Sequence, residues 1–180
     1  MKTIVFVFHP DITISRVNKA LAKEIGKQEN VTVHYVYEAY PNEKIDVRAE
    51  QNLLEAHDRI ILQFPLYWYS SPPLLKKWLD EILTHGWAYG SKGKKLHKKE
   101  LLLAVTAGDS KESFTPNGSV KFSLNELLRP FQATSNIIGT RYLNPFTLYK
   151  VGRLTDKELN ETAKQYVTYA LNPKLEELAD

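Results

Sequence analysis

Three short stretches of this chain gather groups better suited to holding a ligand than to filling a core. The first is His9-Pro10-Asp11-Ile12-Thr13-Ile14-Ser15-Arg16-Val17-Asn18, rich in hydroxyl, amide and imidazole groups. It feeds a segment of helical periodicity. A helix N-terminus presents free N–H groups and the positive end of a dipole, which suits a phosphate. Ser15 and Asn18 supply side-chain donors around Arg16 and Val17, and His9 closes the loop. The plainer alternative makes Ser15 a helix cap and His9 a surface residue. The second stretch is Pro65-Leu66-Tyr67-Trp68-Tyr69-Ser70-Ser71-Pro72-Pro73. Three consecutive aromatics fenced by prolines suit a flat ligand, with backbone N–H groups aimed at its edge; a hydrophobic lid or an interface patch is the other reading. The third is Thr106-Ala107-Gly108-Asp109-Ser110, where small residues let backbone come close to a ligand, or simply make a turn. Neither G-x-G-x-x-G nor G-x-x-x-x-G-K-[ST] occurs, so a Rossmann fingerprint and a P-loop both lack support.

The elements that must carry these loops alternate from end to end. Residues 3–8 form an apolar run without polar alternation, the mark of a strand covered on both faces. Ser15 caps a helix whose stripe is Val17, Ala20, Leu21 and Ile25. Strands are expected over 31–36, 59–64, 101–106 and 137–142. Residues 46–56 read as a helix, and Pro72-Pro73 opens another, striped by Leu75, Trp78, Leu79 and Ile82. A weaker helix spans 122–132, with Pro130 expected to kink or end it. Thr155-Asp156-Lys157-Glu158 is a capping box for a last helix reaching about residue 171. Five strands alternating with helices specify one three-layer α/β domain over residues 1–180, with a parallel sheet and right-handed crossovers. Ligands of such sheets sit beyond the carboxyl ends of the strands, where all three stretches fall.

Composition narrows the chemistry. With 43% hydrophobic and 25% charged residues, the chain of 180 residues has an ordinary globular make-up and length enough for its own core. There is no cysteine, which excludes disulfides, thiol catalysis, Cys-ligated zinc and iron–sulfur clusters, and fits a reducing compartment. No metal site is expected. The start of the chain lacks a signal-peptide pattern, and no apolar run approaches the ~18 residues that span a bilayer. A soluble, cytoplasmic protein is the expectation. The net charge of +3 is concentrated at Lys92, Lys94, Lys95, Lys98 and Lys99, which reads as a solvated loop and not as a nucleic-acid footprint.

Taken together, the loops outline a phosphate pocket, an aromatic wall and a small-residue wall around one cleft, and here a resemblance becomes specific. The sequence resembles the flavodoxin-like NAD(P)H:quinone oxidoreductases, most of all the bacterial branch with the ancillary proteins of glutathione-regulated potassium-efflux systems. It rests on His9-Pro10, Ser15-x-x-Asn18, Ala49-Glu50-Gln51, the run from Phe64 through Pro72-Pro73 to Asp80, His85-Gly86-Trp87-Ala88-Tyr89-Gly90, and Val105-Thr106-Ala107-Gly108. The resemblance implies a flavodoxin-like sandwich with a five-stranded sheet in the order 2-1-3-4-5. It implies FMN, or FAD, with its phosphate at His9, Ser15, Arg16, Val17 and Asn18. Pro65, Leu66, Tyr67 and Trp68, with Thr106, Ala107, Gly108 and Asp109, would line the isoalloxazine ring. NADH or NADPH would reduce the flavin, and a quinone-like acceptor would reoxidise it in the same place, a ping-pong scheme.

The resemblance further implies a homodimer in which Tyr89, with Trp87 beside it, roofs the partner's acceptor pocket opposite Trp68, with Phe114 in the same pocket. Trp87 and Tyr89 look surplus to the protomer's own core, which supports that reading. Two departures stand out. The Tyr of the vertebrate members' proton relay is Phe114 here, and no His follows His97; the second glycine of the family's turn is Asp109. The competing reading is a flavin-binding regulatory subunit that contacts a membrane transporter through residues 92–99. A one-electron carrier fits less well, because such proteins are usually acidic with a hydroxyl-rich, glycine-containing phosphate loop.

Overall fold

The computed structural model describes residues 1–179. Six strands build one sheet: β1 (Thr3–Val7), β2 (Val31–Tyr35), β3 (Arg59–Pro65), β4 (Glu100–Thr106), β5 (Arg141–Tyr142) and β6 (Phe146–Leu148). Every pairing is parallel, in the order β2-β1-β3-β4-β5, with β6 also on β4. The interior strands are apolar because both sheet faces are covered; all five residues of β1 are buried. On one face α1 (Arg16–Ile25) and the last helix, α7 (Asp156–Ala170), pack on Val5, Val7, Ile61, Leu102 and Ala104. On the other, α3 (Val47–Ala56), α4 (Pro73–Ile82), α5 (Leu124–Leu127) and α6 (Arg129–Ile138) cover Phe6, Phe8, Leu62, Phe64 and Leu103. A short α2 (Val36–Ala39) follows β2.

The caps are those the sequence announces. Ser15, Asp46 and Thr155 each accept from the backbone N–H three residues on, and Glu158 completes the capping box at Thr155. Pro73 opens α4, where its missing N–H leaves no bond unmade.

Two expectations fail at the far edge. The strand expected over 137–142 is two residues long, because Ile137 and Ile138 finish α6. Gly139, in the left-handed region at φ 71°, stops the helix and returns its N–H to the Ser135 carbonyl. Only Arg141 and Tyr142 then pair with the start of β4, and β6 takes over along its end, so the sheet has six strands rather than five. Pro130 does not end the helix over 122–132 either. It sits in the first turn of α6, after α5 has already stopped.

Two buried polar clusters tie the layers together. Arg59 at the base of the sheet donates to Glu100 (Nε to Oε2, 2.6 Å) and to the carbonyls of Ala170 and Asn172, anchoring the end of α7. Glu50 of α3, wholly buried, accepts at Oε1 from His34 Nε2 (2.7 Å) and Tyr40 Oη (2.6 Å) and at Oε2 from Trp78 Nε1 (2.8 Å). Burial alone would raise the pKa of that carboxyl, but these three donors hold it below the ordinary glutamate value.

Candidate flavin cleft at the carboxyl edge of the sheet

The three loops meet beyond the carboxyl ends of β1, β3 and β4. They surround an open cleft of about 320 Å³ that His9, Ser15, Arg16, Val17 and Asn18 line from one side and Pro65, Leu66, Thr106 and Gly108 from another. Backbone bonds hold the walls in place: the Leu66 N–H donates to the Thr106 carbonyl (2.8 Å), and the Ala107 N–H to the Leu148 carbonyl (2.8 Å). The chain after β6 closes the cleft with Val151 and Gly152, which sequence reasoning missed. They are drawn in because Lys150 and Val151 donate to the carbonyls of Asp109 (3.0 Å) and Ala107 (3.3 Å). The sequence marks the segment only by Gly152; the turn itself, with Lys150 at φ 53°, is a feature of the structure.

The first loop presents donors of the kind an anion needs. Ser15 Oγ accepts the Asn18 N–H (3.2 Å), which leaves its own proton available. The Arg16 and Val17 N–H groups, in the first turn of α1, have no acceptor within the helix. Three donors therefore converge at a positive helix end. His9 accepts the Asp11 N–H at Nδ1 (3.2 Å), which places the proton of its neutral ring on Nε2. Burial pushes the His9 pKa down, against the upward pull of Asp11, so the ring is neutral at pH 7.

The structure reassigns two members of this loop. The Asn18 carboxamide does not point to an anion: Nδ2 donates to Thr106 Oγ1 (3.0 Å), and Oδ1 faces Gln63 Nε2 (3.3 Å). The Arg16 guanidinium is turned to the Leu154 carbonyl and to Asp156, both at 2.7 Å. What these two residues give an anion is the backbone of Arg16.

The aromatic stretch divides. Pro65 and Leu66 line the cleft, whereas Tyr67 and Ser70 exchange backbone bonds (3.2 and 2.9 Å) around a two-residue turn. Trp68 and Tyr69 occupy that turn at φ 43° and 62°, a conformation strained for bulky side chains. Trp68 is 92% exposed and meets Tyr69 edge-on. On the small-residue side, Thr106 and Gly108 line the cleft. Ala107 is buried behind it, and Asp109 is exposed outside it, with its carboxylate on the Ser110 N–H (2.7 Å).

Two residues expected in an acceptor pocket do not line this cleft. Trp87 is not surplus to its own core: it is buried, and its indole N–H donates to Glu55 (2.8 Å). Phe114 is buried against Tyr149 and lines a different depression. Tyr89 does remain exposed, beside a groove of about 750 Å³ between α4 and α6 whose walls include Leu79, Leu83, Phe131 and Ile137. Of the basic loop, Lys95 pairs with Glu55 and Lys99 donates to the Glu55 and His57 carbonyls. Among the described residues no cluster of metal ligands occurs, and no helix is long and apolar enough to cross a membrane.

A parallel sheet in the order 2-1-3-4-5 with its cleft at the carboxyl edge defines the flavodoxin-like class. Residues 1–170 match the family described as having the flavodoxin-like fold, and the chain belongs to it. It is 48% identical to the uncharacterized NAD(P)H oxidoreductase YrkL of Bacillus subtilis, over 94% of this chain and 97% of that one. It is 41% identical to the glutathione-regulated potassium-efflux system ancillary protein KefF of Salmonella dublin, over 91% and 92%. Among solved structures, general stress protein 14 of Treponema denticola in complex with FMN superposes with a TM-score of 0.89 at 42% identity, covering 94% of this chain and 98% of that one. An NADPH-quinone reductase from P. pentosaceus gives 0.87 at 36% identity, covering 96% and 99%.

Proposed function

We propose that the protein binds FMN in the carboxyl-edge cleft and, as an NAD(P)H oxidoreductase, passes two electrons from a reduced nicotinamide nucleotide to a quinone-like acceptor. The observation that carries the proposal is the convergence of the Ser15 hydroxyl with the Arg16 and Val17 N–H groups beside a wall with room for a ring. A Cβ built on Gly108 or Gly152 meets no atom within 4 Å, so both positions open onto free space in the cleft. The residues present thus fit a phosphorylated flavin. The FMN complex of the 42% identical relative supports FMN over FAD, and the relatives' oxidoreductase names support the activity.

Bound FMN supplies a ring that takes up two electrons and gives them on. The chain's own work is to hold and shield it. Helix α1 neutralises the phosphate with dipole and donors, without committing a cationic side chain. Pro65 and Leu66 keep one wall rigid and dry. Neutral His9 offers a hydrogen bond from Nε2 without adding charge. The expected relay position holds Phe114, which has no ionisable group, so protons for the acceptor come from water or from another group at the cleft.

The working unit in this reading is a homodimer. The exposed Tyr89 and Ile137 line the groove between α4 and α6, and the exposed Trp68 and Tyr69 directly precede Ser70, which lines it too. A twofold contact makes such a face complementary to itself. The kinship with a potassium-efflux ancillary protein favours a second reading, in which the same flavoprotein docks on a transporter through residues 92–99, where Lys92, Lys94 and Lys98 are exposed and form no salt bridge among the described residues. Steady-state rates of the FMN-loaded protein test the main proposal. With NADH or NADPH varied at several fixed quinone concentrations, parallel double-reciprocal lines are expected. Intersecting lines would overturn the shared position for donor and acceptor, and absence of NAD(P)H oxidation would overturn the activity.

A further inference from the structure

Gln63 is a polar residue where the sheet has no need of one. It lies on β3, paired with Val7 and Ala104, on the face that otherwise buries Val5, Val7, Ile61, Leu102 and Ala104 under α1 and α7. It is wholly buried, and its Oε1 has no partner among the described residues. An apolar side chain would avoid that orphaned acceptor, so the amide must be kept for what its other end does.

The donor and acceptor inventory fixes every atom of the chain that starts there. Gln63 Nε2 lies 2.9 Å from the Asn18 carbonyl, which can only accept, so the amide nitrogen must face that way. The same nitrogen meets the Asn18 side chain at 3.3 Å, which turns Oδ1 toward it. Asn18 Nδ2 is thereby directed at Thr106 Oγ1 (3.0 Å), and the threonine oxygen is the acceptor. Among the described residues the hydroxyl proton of Thr106 is left without an acceptor, on a residue that lines the cleft. From these contacts we infer that Gln63 is a positioning residue: acting through Asn18, it locks the Thr106 hydroxyl as a hydrogen-bond donor to an acceptor atom on the ring or ribityl part of the flavin. The inference rests on the flavin reading of the cleft and adds residues to it. The phosphate is already served by Ser15 and the helix end, which is why the acceptor is assigned to the rest of the ligand.

Equilibrium titration of flavin-free protein with FMN and with riboflavin, followed by flavin fluorescence, tests it. Thr106→Val and Gln63→Met should each weaken both ligands about five-fold, the size of one net hydrogen bond. In the double variant Gln63→Met should add nothing to Thr106→Val, because the two act through one bond. Thr106→Ser, which keeps the hydroxyl, should bind as the parent does. Unchanged affinities in a folded Gln63→Met protein, or a full second loss in the double variant, would overturn the inference. A loss confined to FMN would move Thr106 to the phosphate and overturn it too. If Gln63→Met does not fold, the Val and Ser variants at Thr106 decide, and equal affinities refute the role. Failure of the parent protein to bind either flavin would instead remove the reading beneath the inference.

Discussion

Replacing Glu50 by Gln should destabilise the domain strongly without touching the cleft, whose walls do not include it. The carboxylate serves three donors: His34 and Tyr40 at one oxygen, the buried Trp78 indole N–H at the other. A glutamine keeps one oxygen, and its NH2 then faces either the indole N–H or the His34–Tyr40 pair. At least one buried donor loses its acceptor. A hydrogen bond to a charged group is worth about 1.5–3 kcal/mol, and easier burial of the neutral amide returns part of that. The expected net loss is about 2 kcal/mol, or roughly 4–8 °C in Tm for a domain of this size. Acidity supplies the internal control. The native carboxyl holds its proton less tightly than the unfolded one, so its contribution is full above about pH 4.5 and disappears as the pH falls through the lower native value. Urea unfolding of parent and variant at a series of pH values should show a gap that is widest near neutrality and narrows below about pH 4.5. A gap under about 0.5 kcal/mol at pH 7, or one that does not change on acidification, would refute the account of this cluster.

Other substitutions probe the site and its face. Ser15→Ala removes both the cap of α1 and a phosphate donor; a loss of about 1 kcal/mol in stability is expected, with FMN weakened and riboflavin largely spared in a binding titration. Asp156→Asn removes the charge opposite the Arg16 guanidinium, which keeps its bond to the Leu154 carbonyl. The pair is exposed, so unfolding curves should move by less than about 0.5 kcal/mol, and FMN should bind at least as tightly because the Arg16 charge beside the cleft is no longer neutralised. Tyr89→Asp places a charge on the apolar face and should shift the protein toward monomer in sedimentation while leaving one-to-one FMN binding intact.

What the sequence disclosed and what it hid follow a physical division. Buried parallel strands are read easily because both faces are apolar, and caps are read easily because Ser15 or Thr155 answers an N–H only three residues away. The edge was misread for a local reason: Ile137 and Ile138 are β-branched, yet Phe131, Ser135 and Ile138 lie on one helical face that the sheet buries. Pro130 fits the end of one helix as well as the start of the next, and only the short α5 decides. Within the site, three loops could be placed by the rule for parallel sheets, but the roles of single side chains depend on distant partners. Asn18 is claimed by Thr106, 88 residues on. Trp87 is claimed by Glu55, and Val151 and Gly152 reach the cleft through the carbonyls of Ala107 and Asp109. No periodicity encodes such pairings.

On the reading proposed above, the cleft at the carboxyl edge holds a phosphorylated flavin. Titration of flavin-free protein with FMN, monitored by absorbance and fluorescence and repeated with FAD, decides it. Saturation at one FMN per chain is expected, with competition by inorganic phosphate weak but measurable, since phosphate offers the helix end its charge without the ring. A folded protein that binds neither FMN nor FAD would contradict the claim.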